Sequence, residues 1–149
     1  VSKFLVMKNF LILLVCGLSF GLQAQQKDVE NTIKTFFEGF HAKDTLKIKS
    51  VCHDKMILQS IMEGAKGTKF LDEKASDFFK AIATFPSDKK FEERLLKFNT
   101  QIDGAMAHVW TPYEFYIDGK LSHHGVNSFQ LYKDNGSWKI IYVVDTRRK

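Results

Sequence analysis

The sequence predicts an α+β domain in which three N-terminal helices pack on a strongly curved antiparallel sheet. Two patterns carry this. The first half repeats apolar residues at helical spacing, and the second half is cut by three hairpin signals, Asp103-Gly104, Asp118-Gly119 and Asn135-Gly136. Eleven of the fourteen Phe residues lie beyond position 24, enough for one core in a chain of 149 residues.

The first stretch stands apart from that domain. Lys3 and Lys8 precede an unbroken apolar run from Phe10 to Phe20, and Gly21-Leu22-Gln23-Ala24 then leads into polar sequence. A basic flank, a short apolar core and a small-residue exit describe a secretory signal peptide. Residues 1–24 are therefore expected to be a leader cleaved after Ala24, and residues 25–149 a single domain exported to the periplasm. The run is shorter than the roughly 20 apolar residues of a membrane span, so no membrane association is expected after cleavage. Loss of Lys3 and Lys8 lowers the formal charge from +5 to +3. That is too mild and dispersed for a nucleic-acid partner. Cys16 leaves with the leader, so Cys52 has no internal disulfide partner.

Val29, Ile33, Phe36, Phe37 and Phe40 form one apolar stripe, with Asp28 as its expected N-cap. Asp44 caps a short second helix carrying Leu46 and Val51. Met56–Ile61 reads as a strand. Gly64 and Gly67 break the pattern, and Thr68 opens a third helix with Leu71, Ala75, Phe78, Phe79 and Ile82 on one face. Pro86 ends it.

The three turn dipeptides divide the remainder into four strands, about 91–102, 105–117, 120–134 and 137–146. Asp-Gly and Asn-Gly suit type I′ turns, which need positive φ at both central residues. Two-residue turns also set the register. Pairing about Asp118-Gly119 places Trp110 opposite Asn127, His108 opposite Phe129 and Glu114 opposite His123. Pairing about Asn135-Gly136 places Phe129 opposite Tyr142. One face then carries His108, Trp110, Glu114, His123, Asn127, Phe129 and Tyr142, and is assigned to the helices. The other carries Val109, Thr111, Tyr113, Val126, Ile141, Val143 and Asp145. A bulge at Pro112 would exchange the faces of residues 113–116.

Several segments resemble the nuclear transport factor 2-like (NTF2-like) superfamily, the cone-shaped group that includes SnoaL-like and ketosteroid isomerase-like proteins. These are Ile33-x-x-Phe36-Phe37-x-x-Phe40, Lys43-Asp44-Thr45-x-Lys47, Gly125-x-Asn127-x-Phe129-x-Leu131 and Asp134-Asn135-Gly136-Ser137-Trp138-Lys139-Ile140. The resemblance spans the chain beyond the leader. It implies a pocket between the concave sheet face and the helices, and it leaves function open because the superfamily holds enzymes, ligand binders and adaptors.

The residues expected to line that pocket are His108, Trp110, His123, Asn127, Phe129 and Tyr142, faced by Phe36 and Phe40. They are mostly apolar with a few polar groups, as ligand sites are. The expected function is binding of a small apolar ligand or a partner protein without catalysis. The alternative is a cofactor-free isomerase, dehydratase or hydrolase, with His123 and Glu114 as the candidate acid–base pair. No cofactor is expected. No metal is expected either, because His123 and His124 point to opposite faces of one strand and His41 and His53 lack ligand spacing. The apolar outer face of Val109, Thr111, Tyr113, Val126, Ile141 and Val143 is expected to pair with a second copy.

Overall fold

The computed structural model describes residues 2–149, with side chains from Gly21 onward except Leu22. The expected signal peptide falls almost wholly outside the residues whose side chains are described. Helices α1 (Ser2–Ala42), α2 (Thr45–Val51) and α3 (Ala75–Ala83) interleave with strands β1 (Cys52–Gly64) and β2 (Gly67–Glu73). Strands β3 (Phe91–Leu95), β4 (Asn99–Asp103), β5 (Met106–Ile117), β6 (Lys120–Asp134) and β7 (Ser137–Arg147) follow. The strands form one curved sheet in the order β2-β1-β7-β6-β5-β3, with β4 also pairing β5. The expected architecture is present, with one correction: the sheet is mixed, because β1 runs parallel to β7.

The helices follow their apolar stripes. Val29, Ile33, Phe36 and Phe37 are buried along α1. Asp28 caps nothing, since α1 continues through it. Asp44 does cap α2, its carboxylate accepting the Lys47 N–H at 3.0 Å. Ile48, not Leu46, is the residue α2 buries. Gly39 lets the two helices meet: a Cβ there would stand 2.9 Å from Ile48 Cγ1.

The expected third helix is half strand. Residues 67–73 pair with β1 across the Gly64–Gly67 turn, and the helix begins at Ala75. The expected strand 91–102 is also two. β5 pairs with β4 along its first half and with β3 along its second. Pro112 sits at that change of partner. Its carbonyl accepts the Leu96 N–H at 2.9 Å, so the side lacking an N–H faces the junction where no ladder partner is needed.

The expected Asp103-Gly104 turn sits one residue further on, at Gly104-Ala105, because Asp103 stays in β4 and pairs with Met106. Asp118-Gly119 and Asn135-Gly136 form the expected turns, with all four residues at positive φ. Beyond each of these two turns an extra residue enters the ladder. Tyr116 pairs with Leu121, but Phe115 pairs with His123, leaving Ser122 as a bulge. Leu131 pairs with Ile140, but Gln130 pairs with Tyr142, leaving Ile141 as a second. Each bulge slips the register by one residue and turns over the face of the strand beyond it.

Candidate functional site

α1, α3 and the concave sheet face enclose a cavity of about 280 Å³. Its apolar wall is aromatic. Phe40 lies between Phe78, 6.2 Å away and nearly parallel, and Phe91, 4.6 Å away. Phe91 stacks on Phe115 at 6.2 Å, and Phe36 meets Phe129 edge-on at 6.1 Å. The stripe of α1 aims these rings inward, and α3 adds Phe78 and Ile82.

The opposite wall is polar and ordered by strand register. Thr111 pairs with Asn127, Asn127 with Asp145, and Asp145 with Ser60, across β5, β6, β7 and β1. All four are buried. Asp145 is saturated with donors. Ser60 Oγ donates to one carboxylate oxygen, while Tyr113 Oη donates at 3.1 Å and Arg147 Nε at 2.7 Å to the other. The Tyr113 hydroxyl also lies 2.9 Å from the Thr146 carbonyl. Its ring pairs with Gly125, which has no side chain to bar its way to β7. A Cβ on Gly125 would stand 1.7 Å from the Thr146 carbonyl oxygen, so only glycine fits.

Glu93 enters the cavity from β3. Asn127 Nδ2 donates to its carboxyl at 2.6 Å, and His41 Nε2 accepts its backbone N–H at 2.9 Å. Burial pushes the Glu93 carboxyl up to about 7; Asp145 adds to this, while Asn127 and Arg147 oppose it. In the neighbouring row His123 stacks on Phe115 at 4.8 Å, with Ser122 Oγ 3.2 Å from its Nδ1. Burial holds the His123 imidazole below its usual range, Arg147 adding to this and Asp145 opposing it. Glu93, Phe115 and His123 are consecutive across β3, β5 and β6. The cavity therefore joins a carboxyl that titrates near neutral pH to a neutral imidazole, the pair of states general acid–base chemistry needs. Among the described residues no three His, Cys, Asp or Glu side chains gather closely enough to hold a metal ion.

No family model matches the sequence, and no curated protein matches it either. Solved structures do match in fold. An NTF2-like protein of unknown function from Shewanella baltica superposes with a TM-score of 0.59 at 14% identity, covering 86% of this chain and 96% of its own. A candidate dehydratase of the NTF2-like family from Streptomyces avermitilis gives 0.65 at 13%, over 85% and 98%. A candidate scytalone dehydratase from Novosphingobium aromaticivorans gives 0.68 at 10%, over 88% and 89%. The fold is NTF2-like.

Within this NTF2-like cone the expected site residues divide. Phe36, Phe40, His123, Asn127 and Phe129 line the cavity. His108, Trp110, Glu114 and Tyr142 do not; the two bulges put them on the outer face. His108 Nδ1 accepts from Gln130 Nε2 there at 2.8 Å, and Tyr142 Oη donates to Gln59. Glu114 pairs with His124, not His123, and accepts from Tyr116 Oη at 2.7 Å. The expected Glu114–His123 pair does not form; the carboxyl that enters the cavity on the row of His123 is Glu93, with Phe115 between them. The same slips move Val109, Thr111, Tyr113, Val143 and Asp145 inside, so the expected outer patch loses most of its members. Cys52 is buried, and its thiol is pushed up to about 12 by that burial, against the opposing pull of Lys139, which makes it a poor nucleophile.

Sequence reasoning missed Glu93, Tyr113 and Asp145. A signal existed for Glu93 and Tyr113. Glu93 sits between Phe91 and Leu95 at the inward spacing of its strand. In β5 the odd positions Ala107, Val109, Thr111, Tyr113 and Phe115 carry no charge, whereas the even ones include His108, Pro112 and Glu114.

Proposed function

We propose that this domain binds a small, largely apolar, ring-bearing molecule in its cavity. The cavity itself carries the reading: about 280 Å³, walled on one side by Phe rings and on the other by a row of buried polar groups that would orient a ligand. A naphthalene-class fluorophore should bind one per domain. Ala81→Trp, which introduces an indole beside Phe78 and Phe85, should weaken that binding about tenfold or more, roughly 1.4 kcal/mol. An unchanged affinity in this variant would rule the cavity out.

A second reading, cofactor-free isomerase, dehydratase or hydrolase chemistry, is favoured by one observation. Glu93 has a carboxyl that titrates at about 7 in the same chamber as His123. Glu93 would accept a proton from a bound carbon or oxygen acid, and Asn127 would hold its carboxyl in place. Once a bound ketone is known, its α-proton exchange in heavy water should slow about a hundredfold in Glu93→Gln.

Export and pairing belong to the same proposal. Expressed in a Gram-negative host, the protein should be recovered from the periplasm beginning at Gln25. Pairing would use the outer face as now drawn, around Trp110, Ile57, Val126 and Val144, with Trp110 and Ile57 exposed. Trp110→Glu should give monomers in sedimentation if a dimer forms there.

A further inference from the structure

We propose that the cavity is built for an organic cation, an ammonium group carried on a small aromatic or alicyclic body. This rests on the small-molecule reading above and names the class of its ligand. The charges lining the cavity do not balance. Arg147 is its only Arg or Lys among the described residues, and it is committed to Asp145 at 2.7 Å. Glu93 has no cationic side chain bonded to it; its only side-chain hydrogen-bond donor is the uncharged Asn127. Glu73 adds a second carboxyl at the mouth, on β2. The remaining wall is aromatic, with Phe36, Phe40, Phe78, Phe91 and Phe115 lining it, and an aromatic ring attracts a cation through its π-system. A chamber walled by Phe rings, with a Glu93 carboxyl that no cationic side chain of the cavity neutralises, lacks the positive group that both would attract.

Binding then couples to a proton. An ammonium ion entering beside protonated Glu93 favours the carboxylate, so the Glu93 proton leaves to solvent as the ion pair forms. The ammonium keeps its own proton, and no bond to the ligand is made or broken. The groups facing Glu93 are Asn127 and His123 from β6, Tyr113 from β5, Asp145 and Arg147 from β7, His41 from α1 and Glu73 from β2. Burial keeps both histidines below their usual range, so both stay neutral as pH rises. With the carboxyl at about 7, the ionised fraction climbs from about one tenth at pH 6 to about nine tenths at pH 8. Affinity for a cation should rise by roughly the same ninefold. A ligand that accepts a hydrogen bond from protonated Glu93, such as a ketone, should show the opposite trend.

The test is calorimetric titration of the full domain with four matched probes: phenethylamine, phenethyl alcohol, acetophenone and phenylacetate. The amine should bind most tightly, gain about ninefold between pH 6 and pH 8, and, in buffers of different ionisation enthalpy, release close to one proton at pH 6 and only about a tenth of one at pH 8. Glu93→Gln should abolish the pH trend and the proton release while phenethyl alcohol still binds, which shows the variant folded. Amine affinity equal to or below that of the alcohol, or flat with pH, would overturn the cation assignment and leave the pocket standing. Failure of all four probes would overturn both readings.

Discussion

Asp145 and Glu93 face one cavity from the same sheet, and their surroundings differ in kind. Asp145 lies in the middle of four paired strands, where Ser60, Tyr113 and Arg147 all donate to it. Glu93 lies on β3, at the edge of the sheet, where Asn127 alone donates to its side chain. A buried carboxylate with several donors and a cation bonded to it becomes part of the framework. One that burial desolvates with a single neutral donor is pushed up towards neutrality, and its charge becomes available for use. The difference shows that the floor near Asp145 is tied into the framework by its donors, whereas the Glu93 carboxyl on β3 is held by Asn127 alone, and the proposed recognition is assigned to that side.

The sharpest way to break this division is to disturb the floor. Gly125→Ala would force a methyl to 1.7 Å from the Thr146 carbonyl oxygen, so β6 and β7 must part. A loss of about 3 kcal/mol or more is expected in denaturant unfolding, and a variant as stable as the parent would refute the close approach. Next comes Asp145→Ala. It orphans the Ser60 hydroxyl, leaves the Tyr113 hydroxyl only the Thr146 carbonyl, and leaves Arg147 without its partner, so about 3 kcal/mol should be lost at pH 7.

Glu93 should behave in the opposite sense. Its folded carboxyl, at about 7, lies above the ordinary 4.5, so the folded state holds the proton longer than the unfolded one. Stability from this group is therefore present below pH 4.5 and lost as pH rises through 7. The loss is up to about 3 kcal/mol, at about 1.4 kcal/mol per unit. Glu93→Gln should remove that part of the slope, matching the parent near pH 4 and exceeding it at pH 8. A parallel pH profile in the variant would show that Glu93 is not the desolvated group. The smallest effect is expected on the far side of the sheet. Trp110→Ala should leave cavity-probe affinity within about twofold, since its side chain stands on the opposite face.

Much of the positioning of this site was legible in residues. The α1 stripe placed Phe36 and Phe40, and the alternation of β6 placed His123, Asn127 and Phe129 on one face. Glu93 was hidden by the merging of β3 and β4 into one strand. The break depends on Leu96 bonding back to Pro112, a contact with no local pattern. Asp145 was hidden differently. Its face follows from counting forward from Asn135-Gly136, and the count fails at Ile141.

Sequence alone determined that three helices precede a run of antiparallel hairpins, the turns at Asp118-Gly119 and Asn135-Gly136, and the aromatic content of the core. These rest on short-range physics: periodicity, capping and positive φ. Only the tertiary structure decided which residues face the cavity in β5 and in the far half of β7. A bulge inserts a single residue where a curved sheet must bend, and nothing within the strand itself marks the place. That one-residue slip, made twice, exchanges Trp110, His108 and Tyr142 for Tyr113, Thr111 and Asp145. The interior is settled by how the strands coil around α1, because side-chain direction alternates at every residue and register is fixed only by the whole sheet.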